Sequence, residues 1–246
     1  KIVYTFHNHC YALVNKPYNL FKDYKNEWKF LHIKEKTVAQ EADHVIVTSK
    51  RLVNPLSNIL NRKVNFIPNT IGPLEEYNLT KTYTSKSQPI LLSLCRFAEE
   101  KNLFRSAQAF KKLLSVYPHA LWLIGGDGEL RQNFIDKCKH LGLNIKPRNP
   151  KSSLNNTIRN KGSAQVILLG QVAGQDKSWL FNLADVFFLP SLMEVSPLVG
   201  LESLAYGKII VASTIPGWMD YKDNGAKIFL ANPRNINNIT KNLIMA

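Results

Sequence analysis

The sequence predicts an α/β protein built on parallel, doubly wound sheets. Three observations lead there. Short β-branched and apolar runs recur along the 246 residues, and most are continuous rather than alternating, as strands buried on both faces require. Segments with apolar residues at helical spacing separate them. The polar residues best suited to chemistry follow these runs, which is where open parallel sheets place their ligands.

In chain order, strands are expected at 2–7, 44–49, 64–68, 89–95, 120–125, 166–170, 186–190, 209–213 and 227–231, and helices at 28–42, 50–60, 102–117, 128–141, 176–183, 198–206 and 234–244. Residues 72–88 are rich in Ser, Thr, Pro and Lys, lack periodicity and read as a linker. The linker separates residues 1–71, with three strands, from residues 89–246, with six. Six strands make a full doubly wound domain and three make half of one. Residues 144–165 are polar, basic and unpatterned, which marks a surface insertion. The chain opens directly on the strand "KIVYTFH" without Met, so a fragment with an incomplete first domain is expected. Its end at "NNITKNLIMA" reads as early too.

Composition narrows the class. Hydrophobic residues make up 45% and charged residues 20%, within the range of globular proteins. The formal net charge of +14 favours anionic partners. The basic residues are scattered, however, and Lys, Asn and Ile are all abundant, so base composition of the genome explains the charge equally well. Cys10, Cys95 and Cys138 are odd in number and form no CxxC, which argues against a zinc knuckle or a disulfide framework and for a reducing compartment. No apolar run approaches the ~18 residues of a membrane span, and no signal peptide is evident. The expected location is therefore cytoplasmic.

Three strand ends carry candidate chemistry. "CRFAEEKN" places Arg96 and Lys101 after the strand at 89–95, two cations before a helix start that can neutralise a diphosphate. Solvated surface charge explains the pair about as well. "GGDGEL" follows the strand at 120–125. Gly125, Gly126 and Gly128 permit a tight turn at a helix N-terminus, a weak anion signal that matches neither a P-loop nor GxGxxG. "FLPSLMEVSPLVGLESLAYG" follows the strand at 186–190, with Pro197 suited to a first helical turn. Glu194 then lies in the loop before the helix and Glu202 upon it. The free N–H groups between Ser196 and Val199 would face a phosphate. Two carboxylates flanking an anion site fit a ligand with hydroxyls at both ends and a diphosphate between, a nucleotide-sugar. The competing assignment for Glu202 is a solvent-facing position on an amphipathic helix.

At these residues the chain resembles a family. "CRFAEEK", "LIGGDGELR", "VILLGQV", "LADVFFLPSLMEVSPLVGLESLAYGKIIVAS" and "IPGWMDY" look like the successive motifs of retaining GT-B glycosyltransferases of the family 4 type, the glycosyl transferases group 1. "EADHVIVTSK", "FIPNTI" and "VYTFHNH" resemble parts of that family's N-terminal domain. The resemblance implies a GT-B fold of two Rossmann-like domains, the first incomplete. Residues 1–71 would be the C-terminal part of the acceptor domain, and residues 89–246 the nucleotide-sugar domain.

It further implies that Arg96, Lys101 and the amides of Leu198 and Val199 bind the donor diphosphate. Glu194 would contact the donor sugar, Glu202 the ribose, and His7 would be the active-site histidine, with His9 a near rival. Gly126 and Pro197 are further candidates by position. Gly200 departs from the family's usual bulky apolar residue, and the family's Gly-rich N-terminal start is absent from the sequence. The implied reaction moves a sugar from a nucleoside diphosphate to a glycan or lipid-linked acceptor with retention, in cell-envelope polysaccharide or glycolipid synthesis, and without a metal cofactor.

Two rival functions are an epimerase of the same fold, whose acid/base groups are not evident, and a basic nucleic-acid-binding module, which would show clustered cations with exposed aromatics. Residues 17–32 carry Tyr18, Phe21, Tyr24, Trp28 and Leu31 at helical spacing among lysines. Packing against a sheet explains this segment better than peripheral contact with an anionic membrane at the inner face of the plasma membrane. "HNHC" lacks a fourth metal ligand.

Overall fold

The computed structural model describes residues 1–6, 25–73 and 88–246, with side chains described from residue 33 onward in the second stretch. The expectations for His7, for the "HNHC" cluster, for the apolar positions of 17–32 and for most of the linker at 72–88 lie outside the described residues. By contacts the chain divides into two compact units. One comprises residues 1–71, 193–198 and 215–225, and the other residues 72–192, 199–214 and 226–246.

In the first unit, β1 (Val3–Phe6), β2 (His44–Val47) and β3 (Asn65–Phe66) form a parallel three-stranded sheet in that order. Two helices belong to it, α1 (Lys25–Glu41) and α2 (Val53–Leu60). Phe6, Val45, Val47, Leu52, Leu56 and Leu60 are buried together. α2 ends where Asn61 adopts a left-handed conformation, φ 50°, which Asn tolerates better than most residues.

The second unit is a seven-stranded parallel sheet ordered β10-β9-β8-β4-β5-β7-β6. Its strands are β4 (Ile90–Leu94), β5 (Leu121–Gly125), β6 (Ile145–Pro147), β7 (Val166–Gly170), β8 (Val186–Leu189), β9 (Ile209–Ser213) and β10 (Ile228–Ala231). The connecting helices are α3 (Leu103–Leu113), α4 (Arg131–His140), α5 (Leu154–Arg159), α6 (Gly174–Leu183) and α7 (Leu198–Ala205), with α9 (Ile236–Met245) last. A further helix, α8 (Pro216–Asp223), belongs to the first unit.

β4, β5 and β8 are buried along their whole length, which is why their sequences are unbroken apolar runs. At the centre Trp122 packs against Phe110, Phe134 and Phe188. Its indole N–H donates to Ser93 Oγ at 2.9 Å, and that hydroxyl donates to the Phe188 carbonyl, so the buried polar atoms are satisfied.

The segment 144–165 is not the unpatterned insertion the sequence predicts. It contributes β6, paired parallel to β7 with Ile145 opposite Val166, and α5, capped by Ser153 Oγ accepting from Asn156 N–H at 3.2 Å. An edge strand needs little apolar surface, and "IKP" carries the Lys and Pro that discourage further strand addition. That composition hides the strand from a search for apolar runs.

Candidate functional site

The strand order turns back at β4. The chain runs outward through β5 to the edge strand β6, steps back to β7 between them, then returns to place β8 on the other side of β4. Segments leaving β4 and β8 therefore emerge at the switch point, where doubly wound sheets bind ligands. The two exits are tied together: Leu192 N–H, after β8, donates to the Glu100 carbonyl, after β4, at 2.7 Å.

Arg96 is exposed beyond β4, and its guanidinium pairs with Glu100 four residues on at 2.9 Å. An exposed pair of this kind contributes only ~0–1 kcal/mol, so an anionic ligand can compete for the arginine. Lys101 is half-buried at the end of a short 3-10 turn, Glu99–Lys101. Asn102 then takes a left-handed conformation, φ 58°, held by its side-chain amide donating to the Pro190 and Pro233 carbonyls at 2.9 and 2.8 Å. This fixes both the start of α3 and the position of Lys101.

Gly126 adopts φ 128°, and a Cβ there would lie 1.9 Å from the Cys95 carbonyl oxygen. Only glycine allows this βα turn to lie against the backbone after β4. The Gly126 N–H donates to the Gly170 carbonyl at 2.7 Å. The glycine therefore shapes the turn by close backbone approach.

Glu202 lies on α7, about one quarter exposed. Its Oε1 accepts from Lys177 Nζ of α6 at 2.6 Å. Among the described residues its Oε2 is buried without a hydrogen-bond partner. A carboxylate oxygen left in that state costs on the order of 1–3 kcal/mol until a donor reaches it. Lys177 holds the carboxylate in one orientation. Nothing in the sequence joins the two residues, which are 25 positions apart on different helices.

In the first unit, Glu194 is buried, at 4% exposure. The residues after it are held by partners that sequence reasoning missed. Asn69 Nδ2 donates to the Ser196 carbonyl at 2.9 Å, and Tyr221 OH donates to the Pro197 carbonyl at 3.2 Å while lying 3.0 Å from Ser196 Oγ. Gly217 on α8 lies so close that a Cβ would stand 2.5 Å from the Val195 carbonyl oxygen. Burial, opposed by the hydrogen bond with Ser196 and reinforced by the charges of Glu194 and Asp220, pushes the Tyr221 hydroxyl up to about 12. It therefore stays a neutral donor at ordinary pH. Asp220 accepts from Ser49 Oγ, and Arg51 pairs with Asp220 and Asp223, which bolts α8 to this unit. Pro197 then leads into α7, whose first N–H groups, including those of Leu198 and Val199, have no acceptor within the helix.

Among the described residues, no group of three or more His, Cys, Asp or Glu is placed to hold a metal ion, and no helix is long and apolar enough to cross a membrane. Burial pushes the Cys138 thiol up to about 12, which leaves it an unreactive core residue.

The parallel units, with cations and a carboxylate-bearing helix beyond the strand ends, have the fold of the GT-B glycosyltransferases. The chain belongs to the Glycosyl transferases group 1 family, which its residues 88–246 match. An uncharacterized glycosyltransferase of Methanocaldococcus jannaschii is 27% identical over 230 residues, covering 87% of this chain and 54% of that protein, so the chain spans about half the length of this curated relative. Among solved structures, WaaG, a glycosyltransferase involved in lipopolysaccharide biosynthesis, superposes with a TM-score of 0.72 at 16% identity over 98% of this chain and 64% of its own. TarM of S. aureus, in complex with fondaparinux, alpha-GlcNAc-glycerol and UDP, gives 0.69 at 16% identity over 99% of this chain and 43% of its own. HepE of Anabaena, in complex with UDP and glucose, gives 0.63 at 17% over 99% and 61%.

Proposed function

We propose that this chain is part of a glycosyltransferase and binds a nucleoside diphosphate sugar, which the whole protein transfers with retention at the anomeric carbon. The observation that carries the reading is the Glu202 carboxylate, oriented by Lys177, whose buried second oxygen has no partner among the described residues. A ribose diol supplies the missing donors. Family membership and the UDP in the solved TarM and HepE complexes support the same ligand class.

In this reading Arg96, Lys101 and the first amides of α7 meet the negative charge that grows on the departing diphosphate. Glu194 accepts hydrogen bonds from the donor sugar. The bond from the anomeric carbon to the diphosphate oxygen breaks, the acceptor oxygen bonds to that carbon on the same face, and the acceptor's proton passes to the diphosphate. These cations neutralise the diphosphate without a divalent ion. The acceptor is a glycan or a lipid-linked sugar in cell-envelope synthesis, handled in the cytoplasm or at the inner membrane face.

Calorimetric titration of the 246-residue chain with UDP, GDP and ADP tests the binding step. At least one should bind, and Glu202→Ala should weaken that one about tenfold or more, the equivalent of ~1.4 kcal/mol. The proposal fails if none binds, or if Glu202→Ala binds as tightly as the parent.

A further inference from the structure

The basic residues are scattered along the chain, but the net positive charge is concentrated where acidic residues are missing. No Asp or Glu occurs from Lys137 to Gln175, and the seven Lys and Arg in that stretch carry half of the chain's net charge of +14. Three of them come from three different elements. Lys139 of α4, Lys146 of β6 and Lys161 after α5 line one groove of about 380 Å³ with Leu143, Asn144 and Ser163. Lys146 Nζ is tethered to the Asn160 carbonyl at 2.7 Å. Lys139 and Lys161 make no ion pair with a described residue.

Protection of a sheet edge accounts for a lysine on β6. It does not account for Lys139 and Lys161, which lie on neighbouring elements and close over the same concavity. The groove is also remote from the strand ends already described. Asn144 immediately precedes β6, and Ser163 and Ala164 precede β7. It therefore opens at the amino-terminal end of the parallel sheet, whereas Arg96 follows the carboxyl end of β4.

We infer that this groove is a second anion site, binding a small ligand that carries two or more phosphate groups. Three lysines line one concavity with no carboxylate among its lining residues, which makes its potential positive and favours an anion. A phosphate brings about −1.5 to −2 charges into a small volume, and the groove falls in the ~300–1,000 Å³ range of small-molecule sites. None of the exposed large apolar side chains of the described residues falls between Val116 and Leu198. The surface thus lacks the apolar anchors that insertion into a lipid surface uses. The site does not depend on the nucleotide-sugar reading.

The test is calorimetric titration of the 246-residue chain with inorganic tripolyphosphate, in an Arg96→Ala/Lys101→Ala background that removes the two cations of the other candidate anion site. Binding should persist in that background and fall at least about tenfold on adding Lys139→Glu/Lys161→Glu. It should hold within about twofold for Lys137→Glu/Lys151→Glu, which makes the same charge change outside the groove lining. Lys139→Gln/Lys161→Gln gives a milder pair should charge reversal impair folding, and urea midpoints of all variants should match the parent. The inference is overturned by absence of binding, by loss of binding in the Arg96→Ala/Lys101→Ala background, or by equal losses in the two Glu pairs. It is also overturned if the chain sediments with phosphatidylglycerol vesicles and tripolyphosphate does not displace it, because the charge then serves a lipid surface.

Discussion

The two compact units are stabilised by different means. The seven-stranded unit has a large core centred on the aromatic cluster around Trp122, drawn from residues 91 to 243. The three-stranded unit has a smaller, mostly aliphatic core. Its core takes in Val195, and its polar contacts join Asn69 to Ser196, Ser49 to Asp220 and Arg51 to Asp223 across more than a hundred positions. One contiguous motif is shared out as a result: Glu194 and Ser196 count with the first unit and Glu202 with the second. Sequence continuity and physical attachment are separate properties, and mutations read them separately.

The largest difference should come from the aromatic core. Trp122→Ala should destabilise the seven-stranded unit by about 3–5 kcal/mol, the usual cost of emptying a large buried aromatic site. It also leaves Ser93 Oγ without its indole donor. Denaturant unfolding followed by circular dichroism reads the change. A loss below about 1 kcal/mol would show that the core repacks and that the contrast between the units is false.

The same contrast decides what was legible in the sequence. β4, β5, β7, β8 and β9 announce themselves because strands buried on both faces must be continuous apolar runs. Arg96, Lys101 and Glu202 stand out because they follow such runs. β6 escapes because an edge strand needs no such run, and α8 because "PGWMDYKD" opens on Pro-Gly and is only eight residues long. Lys177 beside Glu202, and Asn69 and Tyr221 beside Ser196, escape for a deeper reason. Tertiary packing sets these pairings, and no local periodicity encodes them.

A middle-sized effect should appear at Tyr221. Tyr221→Phe removes the donor to the Pro197 carbonyl and the partner of Ser196 Oγ, which should cost about 1–2 kcal/mol in the first unit. The pH dependence sharpens the point. The hydroxyl is raised from 10.0 in the unfolded chain to about 12 in the folded one. Between those values the folded state holds a proton the unfolded state has lost, so stability falls as pH rises. The contribution is fully present below pH 10 and gone above about pH 12. Tyr221→Phe should therefore show a shallower fall in stability than the parent across that interval. Parallel curves would remove Tyr221 from the account of how the residues after Glu194 are held.

The smallest effect should separate two surface arginines, one from each unit. Arg51 pairs with Asp223 and, at 3.6 Å, with Asp220, and its side chain is 40% exposed. Arg148 pairs with Asp176 at 3.3 Å but is only 15% exposed, and its Nε donates to the Ser152 carbonyl at 3.0 Å. Exposed pairs are worth ~0–1 kcal/mol and are screened by salt. A hydrogen bond to a carbonyl from a largely covered guanidinium is screened less. Arg51→Ala should thus cost up to about 1 kcal/mol at low salt and close to nothing near 1 M NaCl, where the Debye length is about 3 Å. Arg148→Ala should keep most of its cost at both concentrations, because the contact with Ser152 and the packing of its stem survive screening. Urea midpoints of the two variants at low and high salt make the comparison. Should Arg51→Ala prove the less salt-sensitive of the two, α8 is held to the rest of its unit by packing, and its ion pairs add little to that attachment.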